Sequence, residues 1–211
     1  MEDSSEMNVV ENLKTVNEKC FSNIEKTSDI CSSEILECIE KIALLKESLG
    51  RLITDERLLE LEKEIISDLT NSIVFSSCGF YRVAFQSMRS AIELGFGLLR
   101  FIDDKYSYTL WISGKYDISW SKMLNDDDGI FTYLKVLLGE KSDELGELRE
   151  ECKCLYRLCS EYVHGKYNFM QQLNNPKLEF NQLELETFIA NLERTISVIS
   201  RMYELREGAN E

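Results

Sequence analysis

A single proline, Pro176, occurs in the 211 residues of this chain. Proline breaks a helix because it lacks a backbone donor and clashes with the preceding turn. The ten glycines cluster at a few positions, and Gly50, Gly79 and Gly165 each follow a run of helical spacing. Long helices are therefore permitted along most of the chain, and the sequence predicts an all-α fold.

Apolar residues recur at steps of three or four, the spacing of one helix face. The first such run extends from Val9 to Leu49 and pauses at residues 28–33, so we expect one kinked helix or two helices there. Further helices are predicted from about residue 54 and over residues 80–103, 130–138, 142–164 and 181–206. We divide the chain into an N-terminal helical extension, residues 1–50, and a helical bundle, residues 51–211.

Residues 104–128 lack this spacing. Aromatic and polar side chains are interleaved there, and three consecutive aspartates precede Gly129. The aromatic residues are Tyr106, Tyr108, Trp111, Tyr116 and Trp120. We expect an irregular, aromatic-rich insertion that forms a loop or a short hairpin and is anchored to the core by its tryptophans.

The charge balance excludes several classes of partner. The chain has 24 basic and 38 acidic residues, a net charge of −14, and a pI of about 4.7. Such a field repels nucleic acid, DNA included, and anionic lipid, so a polyanion would need a local basic site. No segment approaches the roughly 20 apolar residues of a membrane span. Seven cysteines and an acidic N-terminus without a secretory run are typical of a cytoplasmic protein.

The one histidine, His164, follows Arg157 by seven residues near the end of a predicted helix. Because each residue advances about 100° around a helix axis, the two side chains share one face. Gly165 ends this helix and leaves the imidazole at its C-terminal end. The polar face comprises Lys153, Arg157, Ser160, Glu161 and His164. A histidine in the last helical turn also serves simply as a cap, which is the alternative reading.

A second polar stripe lies on the predicted helix over residues 80–103. It comprises Arg82, Gln86, Arg89, Glu93 and Arg100. If this stripe faces the helix of Arg157 and His164, Arg89 and Glu93 belong to the same groove. Otherwise Arg89 and Glu93 form an ordinary surface pair one helical turn apart.

Arg157, six intervening residues and His164, placed late in a long helix of an all-α chain, resemble the motif of the HEPN superfamily (higher eukaryote and prokaryote nucleotide-binding domains). The helix with Arg89-Ser90-Ala91-Ile92-Glu93 is similar to the one that packs on the motif helix in that family. The resemblance covers about residues 55–206. It implies a metal-independent endoribonuclease that needs no cofactor. It also suggests a toxin or anti-phage defence system with an antitoxin or defence-system protein as partner.

The implied reaction assigns roles to these residues. Attack by a ribose 2′-hydroxyl on RNA needs a base, an acid for the leaving 5′-oxygen, and positive charge on the phosphate. Arg157 would bind the phosphate, and the His164 side chains of two copies would transfer the protons, which predicts a homodimer. The substrate would be bound or oriented by Ser160, Glu161, Lys153, Arg89 and Glu93.

A second hypothesis is a non-catalytic α-helical interaction or scaffold module that binds a protein partner through its N-terminal helix. Leu158 favours it, because a polar residue often follows the arginine in the HEPN motif. The acidic surface favours it too. A metal site is not expected in either case, since Cys152, Cys154, Cys159 and His164 do not converge on one helix face.

Overall fold

The computed structural model describes residues 3–139, 144–165 and 178–209. Within these residues the chain is helical and contains no strand, so the predicted all-α class is confirmed. The helices are α1 (Asp3–Leu52), α2 (Leu59–Ser77), α3 (Tyr81–Asp103), α4 (Lys105–Ile112), α5 (Trp120–Met123), α6 (Ile130–Leu138), α7 (Leu145–Val163) and α8 (Gln182–Gly208). A short 3₁₀ helix, Glu56–Leu58, precedes α2. In the described part of the chain, no helix has both the length and the apolar content to cross a bilayer.

The pause at residues 28–33 is a kink rather than a break. Cys31 has φ −129° and ψ 23° inside an otherwise continuous α1, and the helix continues two residues past Gly50. Asp55 caps the 3₁₀ turn by accepting a hydrogen bond from the Arg57 backbone N–H at 3.1 Å. The helix predicted over residues 130–138 has these bounds in the structure.

The expectation of an irregular segment over residues 104–128 is wrong in part, because α4 and α5 lie within it. The Asp104 carboxylate starts α4 by accepting a hydrogen bond from the Ser107 backbone N–H at 2.9 Å. The Trp111 ring then packs against Phe101 of α3, with centroids 5.5 Å apart. A local cap and a tertiary contact thus form a helix that apolar spacing does not indicate. The predicted anchoring by tryptophan is confirmed.

Helix α3 lies at the centre of the bundle and packs against α2, α7 and α8. Its inner face is completely buried at Ala84, Phe85, Met88 and Leu98. The second half of α1 belongs to the same core, since it packs against α8 and α2 and buries Cys31, Cys38, Ile42, Leu45 and Leu49. The side chains of residues 9–19 are all exposed. The division at residue 50 remains a prediction.

Candidate functional site

The C-terminal end of α7 presents His164 to solvent. The His164 backbone N–H donates to the Ser160 carbonyl at 2.9 Å, and Gly165 adopts φ +61°, a conformation that favours glycine. From α3, Arg82 Nη2 donates to the Val163 carbonyl at 2.7 Å. These contacts end the helix where Gly165 predicts it to end. His164 becomes the exposed C-cap residue.

Arg157 also faces solvent. Its side chain is 80% exposed, and its Nε donates to Glu161 Oε1 at 3.3 Å across one helical turn. The Glu161 side chain is only 17% exposed, so the Arg157 guanidinium lies on the solvent side of the pair. The guanidinium is open to an anionic ligand from the solvent side.

Two other predicted members of this polar face lie differently. Lys153 Nζ is 2.5 Å from Glu150 Oε1, on the turn before Arg157. The Ser160 hydroxyl oxygen is enclosed and has no hydrogen-bond partner within the described residues. Ser160 therefore does not present its hydroxyl to solvent beside Arg157.

Arg89 and Glu93 do face α7, and they contact it through Tyr156. Arg89 Nη2 donates to the Tyr156 hydroxyl at 2.6 Å, and that hydroxyl donates to Glu93 Oε1 at 2.5 Å. Arg89 and Glu93 are also directly paired at 3.2 Å. The Tyr156 ring also contacts Trp120 of α5, which stacks on it at 4.0 Å. This half-buried network joins three helices.

Burial separates the two sides of α7 chemically. It raises the pKa of the Tyr156 phenol, and the Glu93 carboxylate raises it further, so Tyr156 remains a hydrogen-bond donor at neutral pH. Burial also raises the pKa of the Cys159 thiol to about 12. Tyr162 points inward, stacks on Phe85 at 3.8 Å, and donates to the buried Glu184. The titratable groups on the inner side of α7 are therefore protonated at neutral pH, whereas Arg157 and His164 are exposed to solvent.

The predicted site residues thus form two groups. Arg157, Glu161 and His164 are on the exposed face and end of α7, whereas Arg89 and Glu93 join the half-buried network around Tyr156. Sequence reasoning gave no role to Tyr156, and it placed Arg82 on the polar stripe of α3 without predicting its contact with the Val163 carbonyl. The apolar spacing of α7 does not indicate that Tyr156 binds Arg89 and Glu93, because those contacts depend on how α3 lies against α7.

The chemistry open to the exposed group is phosphate binding by a guanidinium and proton transfer by an imidazole. The described ranges contain no group of three or more histidine, cysteine or carboxylate side chains that could hold a metal ion. Comparison of the chain with protein-family models, curated proteins and solved structures gives no match.

Proposed function

We propose that this chain is a HEPN-type, metal-independent endoribonuclease whose reactive groups are Arg157 and His164. One observation carries the proposal: an exposed guanidinium and an exposed imidazole lie seven residues apart on the same helix and at its open end. Histidine is the side chain best suited to accept and donate protons near neutral pH. Arginine is the side chain best suited to a phosphate, because its planar fork makes two parallel hydrogen bonds.

In this proposal Arg157 leaves Glu161 and binds the scissile phosphate of RNA. One His164 accepts the proton of the ribose 2′-hydroxyl, and the His164 of a second copy protonates the leaving 5′-oxygen. The proposal therefore includes a homodimer with two copies of α7 near its axis. It also includes a cytoplasmic location, supported by seven cysteines without a disulfide, and an antitoxin or defence-system protein as partner.

RNA cleavage in the presence of EDTA tests the proposal. Arg157→Ala and His164→Ala should each lower the cleavage rate by about 100-fold or more, since a positioned acid or base contributes that much. Lys135→Ala is the matched control: it removes one exposed positive charge from α6 and should keep the rate within about twofold.

Equal cleavage by the wild type and all three variants would show that a contaminant or another site cleaves the RNA. Absence of cleavage by all four proteins would contradict the proposed activity. Light scattering gives a second readout on the same samples. A strict monomer at concentrations that cleave RNA would contradict the composite site.

A different observation favours the second candidate, a helical module that binds a protein partner. Large apolar side chains are exposed near the start of α1, including Val9 and Leu13 at 59% and Phe21 at 69%. Exposed apolar surface of this kind often marks an interaction site. Leu13→Asp should abolish recovery of a partner with the tagged chain, whereas Thr15→Asp on the opposite side of α1 should not. If Leu13→Asp and Thr15→Asp recover the same amount of partner, the apolar side chains near the start of α1 are not the binding surface.

A further inference from the structure

Two cysteines meet where α1 crosses the end of α2. Cys20 lies on α1, and Cys78 is the C-cap residue of α2. The Cys20 thiol is a neighbour of Cys78 that, after burial, raises the pKa of the Cys78 thiol. The two residues are 58 positions apart in sequence, so the fold itself brings them together.

Buried polar contacts beside this pair hold α1 against the end of α2. Asn23, one turn after Cys20, is buried and donates from Nδ2 to the Cys78 carbonyl at 2.9 Å. The same amide donates to the Leu178 carbonyl at 3.1 Å. Thr27, a further turn along α1, hydrogen-bonds to the Ser77 carbonyl at 3.4 Å. Removing either contact would leave a buried polar group unsatisfied, so the crossing is held in place.

The pair is also accessible to reagents. All seven cysteines lie in the described residues, and four of them are buried: Cys31, Cys38, Cys152 and Cys159. Cys154 is exposed, while Cys20 and Cys78 are each half-buried. Cys20 and Cys78 are thus two partly accessible thiols that the fold places on neighbouring elements, and access is one of the conditions for disulfide chemistry.

We propose that Cys20 and Cys78 form a reversible intramolecular disulfide that fastens α1 to the end of α2. With hydrogen peroxide as oxidant, the Cys20 thiolate attacks a peroxide oxygen, the O–O bond breaks, and the leaving hydroxide takes up a proton to become water. The Cys78 sulfur then attacks the resulting sulfenic acid, the S–O bond breaks, and a second water leaves with the Cys78 proton. Two thiols lose two electrons in total, and one peroxide is reduced to two waters.

The environment of Cys78 determines the order of these steps. Burial, followed by the neighbouring Cys20 thiol, raises the pKa of Cys78 to about 11, so Cys78 is protonated at neutral pH. Because the thiolate is the nucleophile, a protonated Cys78 is the poorer attacking thiol, and the proposal assigns the first attack to Cys20 and the second to Cys78. A thiol donor such as reduced glutathione reverses the bond by exchange.

The bond has a structural consequence. It joins α1, just after the exposed residues 9–19, to the bundle and closes a loop that contains the kink at Cys31 and all of α2. Closing a loop of this size restricts the unfolded chain, so the oxidised protein should melt about 5 °C above the reduced protein.

Peptide mapping tests the proposal directly. The full chain is reduced, incubated with hydrogen peroxide, alkylated under denaturing conditions and digested with trypsin without reductant. Cleavage after lysine and arginine leaves Cys20 on peptide 20–26 and Cys78 on peptide 64–82, each with one cysteine. We expect these two peptides to be linked, five of the seven thiols to be alkylated, and dithiothreitol to restore all seven.

Cys20→Ser and Cys78→Ser should each prevent the link and the rise in melting temperature. Cys154→Ser, which removes the exposed thiol on α7, is the matched control and should retain both. The proposal is overturned if the linked peptide is absent from the wild-type protein, if Cys78→Ser still loses two thiols, if linkage between chains replaces linkage within one chain, or if oxidation lowers the melting temperature.

Discussion

The Tyr156 hydroxyl connects α3 to α7, because it accepts a hydrogen bond from Arg89 and donates one to Glu93. Tyr156→Phe removes both bonds but keeps the ring that stacks on Trp120. Arg89 and Glu93 remain paired with each other, so no charge loses its last partner. We expect the free energy of unfolding to fall by about 1–2 kcal/mol, measured by urea denaturation.

Tyr106→Phe on α4 is the control for this prediction. It also removes a tyrosine hydroxyl, but Tyr106 is exposed to solvent. Its free energy of unfolding should change by less than about 0.5 kcal/mol. If both variants unfold at the same urea concentration as the wild type, the network contributes nothing to stability.

Gly129 precedes α6 at a close approach of backbone to backbone. A Cβ atom there would lie 2.3 Å from the Asn125 carbonyl oxygen and 2.6 Å from that of Met123. Backbone atoms cannot move aside as a side-chain end does, so Gly129→Ala should lower the free energy of unfolding by about 1–3 kcal/mol. Gly146→Ala in α7, where a Cβ meets nothing within 4 Å, should instead raise it by up to about 1 kcal/mol. Chemical denaturation of both variants checks the opposite signs.

At the residue scale, sequence reasoning succeeds where the exposure of a side chain depends on its position on one helix. The helical spacing separates Arg157 from Tyr162, and the structure confirms that the first is exposed and the second is packed on Phe85. Sequence reasoning fails where a contact depends on how two helices are placed relative to each other. The bond between Arg89 and Tyr156 depends on the relative position of α3 and α7, which is set by core packing rather than by any local pattern.

Among the elements, helices with a continuous apolar face were predictable and short ones were not. The predicted bounds of α3 and α6 agree with the structure within one residue, because a glycine stands just before each helix and the inner faces of both are apolar. Helix α4 was missed because its aromatic residues do not follow helical spacing. Asp104 at its start was the available signal, since aspartate is a preferred N-cap residue.

An ion pair joins the ends of α3 and α8. Arg206 binds both carboxylate oxygens of Asp103 at 2.6 Å, and both side chains are mostly buried. Burial alone would raise the pKa of Asp103, but hydrogen bonds from Arg206 and Tyr133 outweigh it and hold the pKa below its ordinary value. The charged form is therefore favoured by folding. Asp103→Asn should lower the free energy of unfolding by about 2 kcal/mol at pH 7.

The pH dependence of this effect follows from the lowered pKa. The stability that Asp103 contributes is present above the pKa of the unfolded chain, about 3.9, and is lost as the pH falls through the lower pKa of the folded protein. The difference between wild type and Asp103→Asn should therefore shrink below about pH 4. Glu60→Gln, at the exposed pair with Lys63, should be nearly neutral at every pH. A difference for Asp103→Asn that stays constant down to pH 2 would contradict this assignment.

For the whole molecule, the path of α1 is the feature that the sequence left open. The same spacing of three and four residues extends from Val9 to Leu49, yet the side chains of residues 9–19 are exposed while Leu45 and Leu49 are buried. Periodicity identifies which face of a helix is apolar. It does not say whether another element covers that face, because coverage depends on the length and position of α8 and α2.

This division of α1 leads to a prediction about truncation. Deleting residues 1–18 should change the free energy of unfolding by less than about 0.5 kcal/mol, because the described side chains that are lost face solvent. Leu45→Ala should lower it by about 2–5 kcal/mol, since Leu45 is 1% exposed and its loss leaves a cavity. Deleting residues 1–50 removes Leu45 and Leu49 together and should prevent cooperative unfolding. If that shortened chain instead unfolds cooperatively with wild-type stability, residues 51–211 form an independent bundle and α1 is an extension along its whole length.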